Sequence, residues 1–265
     1  MPELPEVERA VRTLRAVMEG ARFRRVLVRR RRLRTHLPGT FASRLEGTTV
    51  RRLRRRGKYL VADLSSGRTL VMHLGMSGSF AVHRETSIAF AKHDHVIFHM
   101  SKGAVVVFND PRRFGSMWLH DDPQGGPTSR LGPEPLDDAF SGEVLARALH
   151  GRRTPLKAAL SDQRVVAGLG NIYVSEALHR ARLSPLRPAG TLTYPSGTPR
   201  PELRTLVRAI RETLNDALAS EEEDDRTFRV YDREGERCAR RGCGGTIRRI
   251  VQAGRSTFFC PRCQR

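Results

Sequence analysis

After Pro5 the apolar residues Val7, Ala10, Val11, Leu14 and Met18 recur at i, i+3, i+4, i+7 and i+11. That spacing lines one face of a helix, begun by a proline whose fixed φ suits a first turn and stopped near Gly20. The pattern then changes to short β-prone runs at 25–30, 59–64, 69–74, 96–100, 104–108 and 116–120, with turns such as Ser65-Ser66-Gly67 and Ser101-Lys102-Gly103 between them. Short strands at this spacing predict a β-sandwich or barrel behind the leading helix. Residues 121–135 hold three Gly and four Pro and read as a linker. Helical periodicity returns at 141–150, 155–161, 171–181 and 201–220, and a run of five acids at 221–225 precedes a basic, cysteine-bearing tail. The pattern predicts an α+β chain with three parts: a helix-plus-sandwich domain at 2–133, a helical domain at 134–223, and a small terminal module at 224–265.

Charge changes the picture first. The 265 residues carry 48 Lys+Arg against 28 Asp+Glu, a formal +20, which favours a polyanionic partner and puts nucleic acid ahead of a membrane surface. Only four of the bases are lysines: Lys58, Lys92, Lys102 and Lys157. An arginine excess also follows from a GC-rich genome, so the distribution carries more weight than the number. Residues 22–56 hold fourteen Arg and one acid, Glu46; residues 226–265 hold eleven Arg and three acids. Two separate basic regions suit a protein that grips a phosphate backbone from two sides. No run of 18 apolar residues exists, which excludes a transmembrane helix. The acids in MPELPEVERA do not make a signal peptide. The expectation is a cytoplasmic monomer, associated with the nucleoid through DNA.

The cysteines add a metal. All four, Cys238, Cys243, Cys260 and Cys263, lie in the last 28 residues with the spacing C-x4-C-x16-C-x2-C. Two close thiolate pairs on facing turns can supply the four ligands of tetrahedral zinc. Free thiols or two disulfides are the alternative, and the clustering and the reducing compartment argue against it. Four protein ligands close the site, so one structural Zn2+ is expected. So short a tail needs such a staple to fold.

Pro2 adds chemistry. Removal of the initiator methionine would expose a secondary amine, partly neutral near pH 7 because α-amino groups have pKa ~7.7–8.0. Such an amine can attack the anomeric carbon of a sugar and form a cationic iminium that drives elimination. Pro2 and Pro5 are equally able simply to begin a helix.

The strings PELPEVE, RRGKYL, HLGMSG, KHDHV, DPRRFG, LGPEPL, GLGNIY and RSTFFCPRC, in this order along the whole chain, resemble the formamidopyrimidine-DNA glycosylase family, which includes endonuclease VIII-like enzymes. DPRRFG and LGPEPL are closer to its formamidopyrimidine branch. The resemblance implies a glycosylase and abasic-site lyase with a β-sandwich, a helix–two-turns–helix unit and a zinc-finger hairpin. Its partner would be damaged double-stranded DNA, its substrates oxidised purines, and its abasic product cleaved by β,δ-elimination.

Carried over residue by residue, Pro2 matches the Schiff-base nucleophile and Glu3 the acid that serves the same sugar carbon. Glu6 has two readings, a second carboxylate in that pocket or a charge favoured by the helix N-terminus. Lys58 in RRGKYL matches a catalytic, phosphate-contacting lysine. It is otherwise a surface base, although a compact ammonium stands out among so many arginines. His93, on one strand face with His95, matches a residue near the DNA backbone. A base must leave the stack before it is attacked. Met76 and Phe114 suit the wedges that fill its place, and Arg112 can pair with the orphaned partner base; sandwich core is the competing reading for Phe114. Asn171, after Gly168-Leu169-Gly170 at a helix start, suits a phosphate cradle or a simple cap. Arg255 matches an arginine that clamps the lesion phosphate, and Arg152 is a further DNA-contact candidate.

Two departures stand out. The first cysteine pair encloses four residues where two is the commoner pattern. The family usually also carries a segment of twenty-odd residues after its last long helix, part of which folds over the everted base. Here residues 220–227 lead almost directly into FRVYDREGE. Preference for oxidised pyrimidines or abasic sites is therefore a second reading, and a non-catalytic DNA-binding zinc protein is a third.

Overall fold

The helix read from the first apolar stripe is α1, Leu4–Met18, and it buries Val7, Val11, Leu14 and Met18. In the computed structural model, which describes residues 2–84, 88–122, 125–220 and 227–265, the chain divides into two compact units, 1–130 and 131–265.

The first unit holds eight strands. They are β1 Phe23–Val28, β2 Val50–Arg56, β3 Tyr59–Leu64, β4 Thr69–His73, β5 Ser79–His83, β6 Asp94–Met100, β7 Val105–Asn109 and β8 Ser116–His120, with a short helix α2 at Phe41–Leu45. They form two antiparallel four-stranded sheets, ordered β1-β6-β7-β5 and β2-β3-β4-β8. One apolar core joins the inner faces of both: Val26, Val96, Phe98, Val106 and Phe108 from the first sheet meet Leu53, Leu60, Leu70, Met72 and Met117 from the second, with α1 covering them. Buried Leu, Val and Phe side chains stabilise such a core by about 1.5–3 kcal/mol each. The expected sandwich is therefore present. Strands β2 and β5 and helix α2 come in addition to the elements read from the sequence. In β2 only Val50 and Leu53 turn fully inward, and five arginines hide the alternation.

The second unit holds α3 Gly142–Leu149, α4 Leu156–Ser161, α5 Asn171–Ala181 and α6 Pro201–Ala219, then the hairpin β9 Arg248–Gln252 and β10 Arg255–Phe259. Helices α4 and α5 and the turns between them make the helix–two-turns–helix unit. The side chain of Gln163 holds those turns together: its Nε2 donates to Leu169 O at 2.7 Å, and its Oε1 accepts from Gly168 N at 2.9 Å. The loop needs Gly168, whose φ is +85°. The hairpin has its own small core of Val230, Ile247 and Phe258 beside the cysteines. The acidic run 221–225 and Met1 lie outside the described residues.

Candidate nucleic-acid site and zinc centre

In the first unit, the N-terminus of α1 is built around two carboxylates. Glu3 is the N-cap and is 1% exposed. Its backbone N–H donates to Glu6 Oε2 at 2.7 Å, and a capping box links the two residues in both directions. Glu6 thereby fixes the first helical turn and the residue that follows Pro2. Pro2 itself is half-buried.

Lys58 is buried in the β2–β3 turn. The adjoining Arg55 ties that turn to α1: its Nε meets Glu8 Oε2 at 3.0 Å while its Nη1 donates to Gly57 O at 3.2 Å. Across the sheet Tyr59 pairs with His73, and their rings lie 4.8 Å apart. His73 Nδ1 accepts from Gly75 N at 3.0 Å, which leaves a neutral ring's proton on Nε2. Burial first, then the charges of Lys58 and Arg34, lower its pKa to about 4. A neutral imidazole thus stands beside the lysine at pH 7. Sequence reading passed over His73, although it begins the HLGMSG string.

The two wedge candidates are exposed, not core: Met76 is 46% and Phe114 38% exposed. The Arg112 guanidinium lies over the Phe114 ring at 4.6 Å. Their turns are locked to each other by the buried carboxylate of Asp110. Its Oδ1 accepts from Ser77 Oγ at 2.6 Å and its Oδ2 from Gly115 N at 2.7 Å, while Arg112 N donates to Ser77 Oγ at 3.3 Å. Gly75 has φ +66°, and a Cβ there would stand 2.3 Å from the Phe114 carbonyl carbon. Only glycine lets these backbones meet. His73, Met76, Arg112 and Phe114 are therefore one connected structure. His93 lies in the turn just before β6, half-buried, its ring edge-on to His95 at 6.4 Å. His95 is buried, with Nε2 2.9 Å from Asp110 O.

In the second unit, Asn171 is the first residue of α5 and Gly170 is the cap. The buried Lys157 Nζ donates to Asn171 Oδ1 at 2.6 Å, to Thr257 Oγ1 at 2.6 Å and to Ser256 O at 3.0 Å. With its oxygen taken, the Asn171 amide presents N–H donors, the polarity a phosphate needs. Arg255 opens β10 two residues before Thr257 and lines a 270 Å³ cavity with Lys157, Ser161, Asp162 and Gln252. Arg152 lies 3.8 Å from Asp162 Oδ2. Lys157, like Lys58, is one of four lysines in the chain, and that rarity, weighed for Lys58, was the signal not applied to Lys157.

The four cysteine sulfurs lie within 4.8 Å of one another, with Cys238–Cys263 at 3.8 Å and Cys243–Cys260 at 3.6 Å. Zn–S bonds of about 2.3 Å give tetrahedral edges of about 3.8 Å, so the set fits zinc. The cradle depends on Gly245, where a Cβ would stand 2.7 Å from Cys260 Sγ. Burial pushes the thiols of Cys238 and Cys263 up, the latter to about 12, while the Gly245 N–H holds that of Cys243 down. The longer first loop leaves the four-sulfur geometry intact.

The model of the formamidopyrimidine-DNA glycosylase N-terminal domain matches residues 1–117, that of the H2TH domain residues 131–229, and that of a zinc finger found in FPG and IleRS residues 235–265. The chain belongs to the formamidopyrimidine-DNA glycosylase family, and its finger holds one structural zinc. A formamidopyrimidine-DNA glycosylase of Bradyrhizobium sp. (strain BTAi1) is 53% identical over 293 aligned positions, and one of Beijerinckia indica 52% over 288; both alignments cover 100% of each chain. Among solved structures, the Lactococcus lactis enzyme bound non-covalently to DNA with an AP site is similar at TM-score 0.87 and 31% identity, covering 99% of both chains. A Lactococcus lactis variant with Fapy-dG-containing DNA matches at 0.87 and 31% over the whole of both chains.

Proposed function

We propose that the chain is a bifunctional base-excision enzyme of duplex DNA, removing oxidised purines such as 8-oxoguanine and formamidopyrimidines and cleaving the abasic product. One observation carries this reading: the buried carboxyl of Glu3 directly follows a half-buried proline at the capped start of α1. The amine of Pro2, freed of Met1, forms a bond to the sugar C1′ as the C–N bond to the base breaks. The amine proton leaves with the departing base, and Glu3 supplies a proton to the ring oxygen O4′ as the C1′–O4′ bond breaks, opening the sugar to an iminium at C1′; Glu6 holds the turn that carries both groups. The resulting iminium takes the electrons when the C2′ proton leaves, so the 3′ phosphate departs; loss of a second proton releases the 5′ phosphate. Lys58, Asn171, Arg255, His93 and Arg152 serve the backbone phosphates. Met76 and Phe114 fill the emptied stack, with Arg112 against the partner base. Zinc has no part in the chemistry and folds the hairpin that presents Arg255.

The Bradyrhizobium alignment has 293 positions against 265 residues here, a shortfall of 28. That agrees in size with the twenty-odd residues missing after Ser220, and it favours a second reading in which purine selectivity is relaxed toward oxidised pyrimidines or preformed abasic sites. Borohydride trapping on abasic duplex tests the chemistry. Protein with a processed N-terminus becomes covalently attached, and Glu3→Gln loses base excision while still binding. Equal trapping by protein that retains Met1 assigns the reaction to another amine, and no trapping at all leaves the non-catalytic zinc protein. Single-turnover excision of 8-oxoguanine beside an oxidised pyrimidine then separates the two enzymatic readings.

A further inference from the structure

One buried contact has no part in the chemistry above. His179, near the C-terminal end of α5, is 0% exposed, and its Nε2 lies 3.2 Å from Cys238 Sγ. Its other ring nitrogen, Nδ1, is buried with no hydrogen-bond partner among the described residues. The two tautomers are therefore unequal. A proton on Nδ1 would bury an unsatisfied N–H and aim a lone pair at the sulfur lone pairs. A proton on Nε2 satisfies the sulfur and leaves only a bare acceptor. The same helix end is gripped a second time: Arg240, two residues beyond Cys238, donates through Nη2 to His179 O at 2.8 Å and to Arg180 O at 3.3 Å.

We infer that His179 is a positioning residue of the zinc centre, its Nε2–H donating to the Cys238 thiolate and fastening that ligand to α5. Four thiolates around one Zn2+ leave a net negative charge on sulfur. An N–H donor takes up part of it, so the ligand is less ready to accept a proton or to leave the metal. The bond also gives the zinc a mechanical address. Asn171 begins the same helix eight residues earlier, about 12 Å along its axis, and Lys157 joins Asn171 to the finger strand β10. The finger is thus held to both ends of the helix that presents the Asn171 amide.

The test uses the full-length, zinc-loaded protein. His179→Phe keeps a ring of similar volume and removes the donor; His179→Gln keeps a donor on a flexible chain. Zinc transfer to a chromophoric chelator should be about ten-fold faster or more in His179→Phe, within the range found when groups behind metal ligands are removed. It should return part of the way in His179→Gln. The sulfur-to-metal charge-transfer band of the cobalt-substituted protein should shift in His179→Phe. Wild-type release rates and an unchanged cobalt spectrum in His179→Phe would reduce the residue to packing. Should His179→Phe fail to fold, ¹⁵N shifts of the wild-type imidazole decide alone: a proton on Nε2 upholds the bond to sulfur, and a proton on Nδ1 overturns it.

Discussion

Lysine is scarce in this chain, and two of its four lysines are buried at the sites. A tetrahedral ammonium can point at three acceptors in different directions, whereas a planar guanidinium forks toward one side. Lys157 uses that geometry on Asn171, Ser256 and Thr257. Lys157→Met should therefore release the Asn171 amide and the finger strand together. Losing hydrogen bonds from a charged donor costs about 1.5–3 kcal/mol each, so affinity for abasic duplex should fall at least ten-fold and Tm should drop; Lys157→Arg should not restore either. His73 gives a pH dependence. Its pKa falls on folding from 6.5 to about 4, so its contribution is fully present above pH 6.5 and is lost as acid approaches pH 4. By pH 5 that loss is about 2 kcal/mol. Urea unfolding at pH 7 and pH 5 should show His73→Asn losing less stability over this interval than the native protein.

Elements were legible where their side-chain pattern and their burial agree. Strands β3 and β8 and helix α5 begin and end where periodicity and turn residues place them. Strand β2 was hidden because five of its seven positions are arginine, and β5 because it is an edge strand with little burial. The zinc ligands and the residues proposed for catalysis stood out as motifs, but their supports did not. Ser77 and Asp110 are 33 positions apart, and Cys238 and His179 are 59 apart; no local pattern records such a pair. The turn junction between β4 and β5 shows what those supports do. Gly75→Ala puts a methyl group into the Phe114 backbone at a left-handed φ, so the two turns must part. We expect a loss of several kcal/mol, or a folded protein whose excision falls far more than its binding of abasic DNA, read by denaturant titration beside single-turnover assays.

At the scale of the whole molecule, the basic regions foreseen from composition fall in both units, Arg22 to Arg56 in the first and the finger in the second. What could not be read was how the chain is held in place beyond its acidic run. Glu176, buried on α5, accepts the N–H groups of Arg229, Val230 and Tyr231, each at 2.9 Å. Upstream, α6 ends at Ala219 and is itself buried along Leu206, Ile210 and Leu214. Both moorings of the intervening span are thus set by groups that do not belong to it. Lengthening a flexible loop between fixed ends costs only about 0.6 kcal/mol for each doubling. A graft of twenty-odd Gly-, Ser- and Thr-rich residues after Ser220 should move the unfolding free energy by only about 1 kcal/mol. It would leave trapping on abasic DNA unchanged and be free to alter which damaged base is taken. Because Glu176 fixes Arg229 to Tyr231 from α5, a change of length upstream of them would let substrate choice drift while the fold and the proposed sugar chemistry stay fixed.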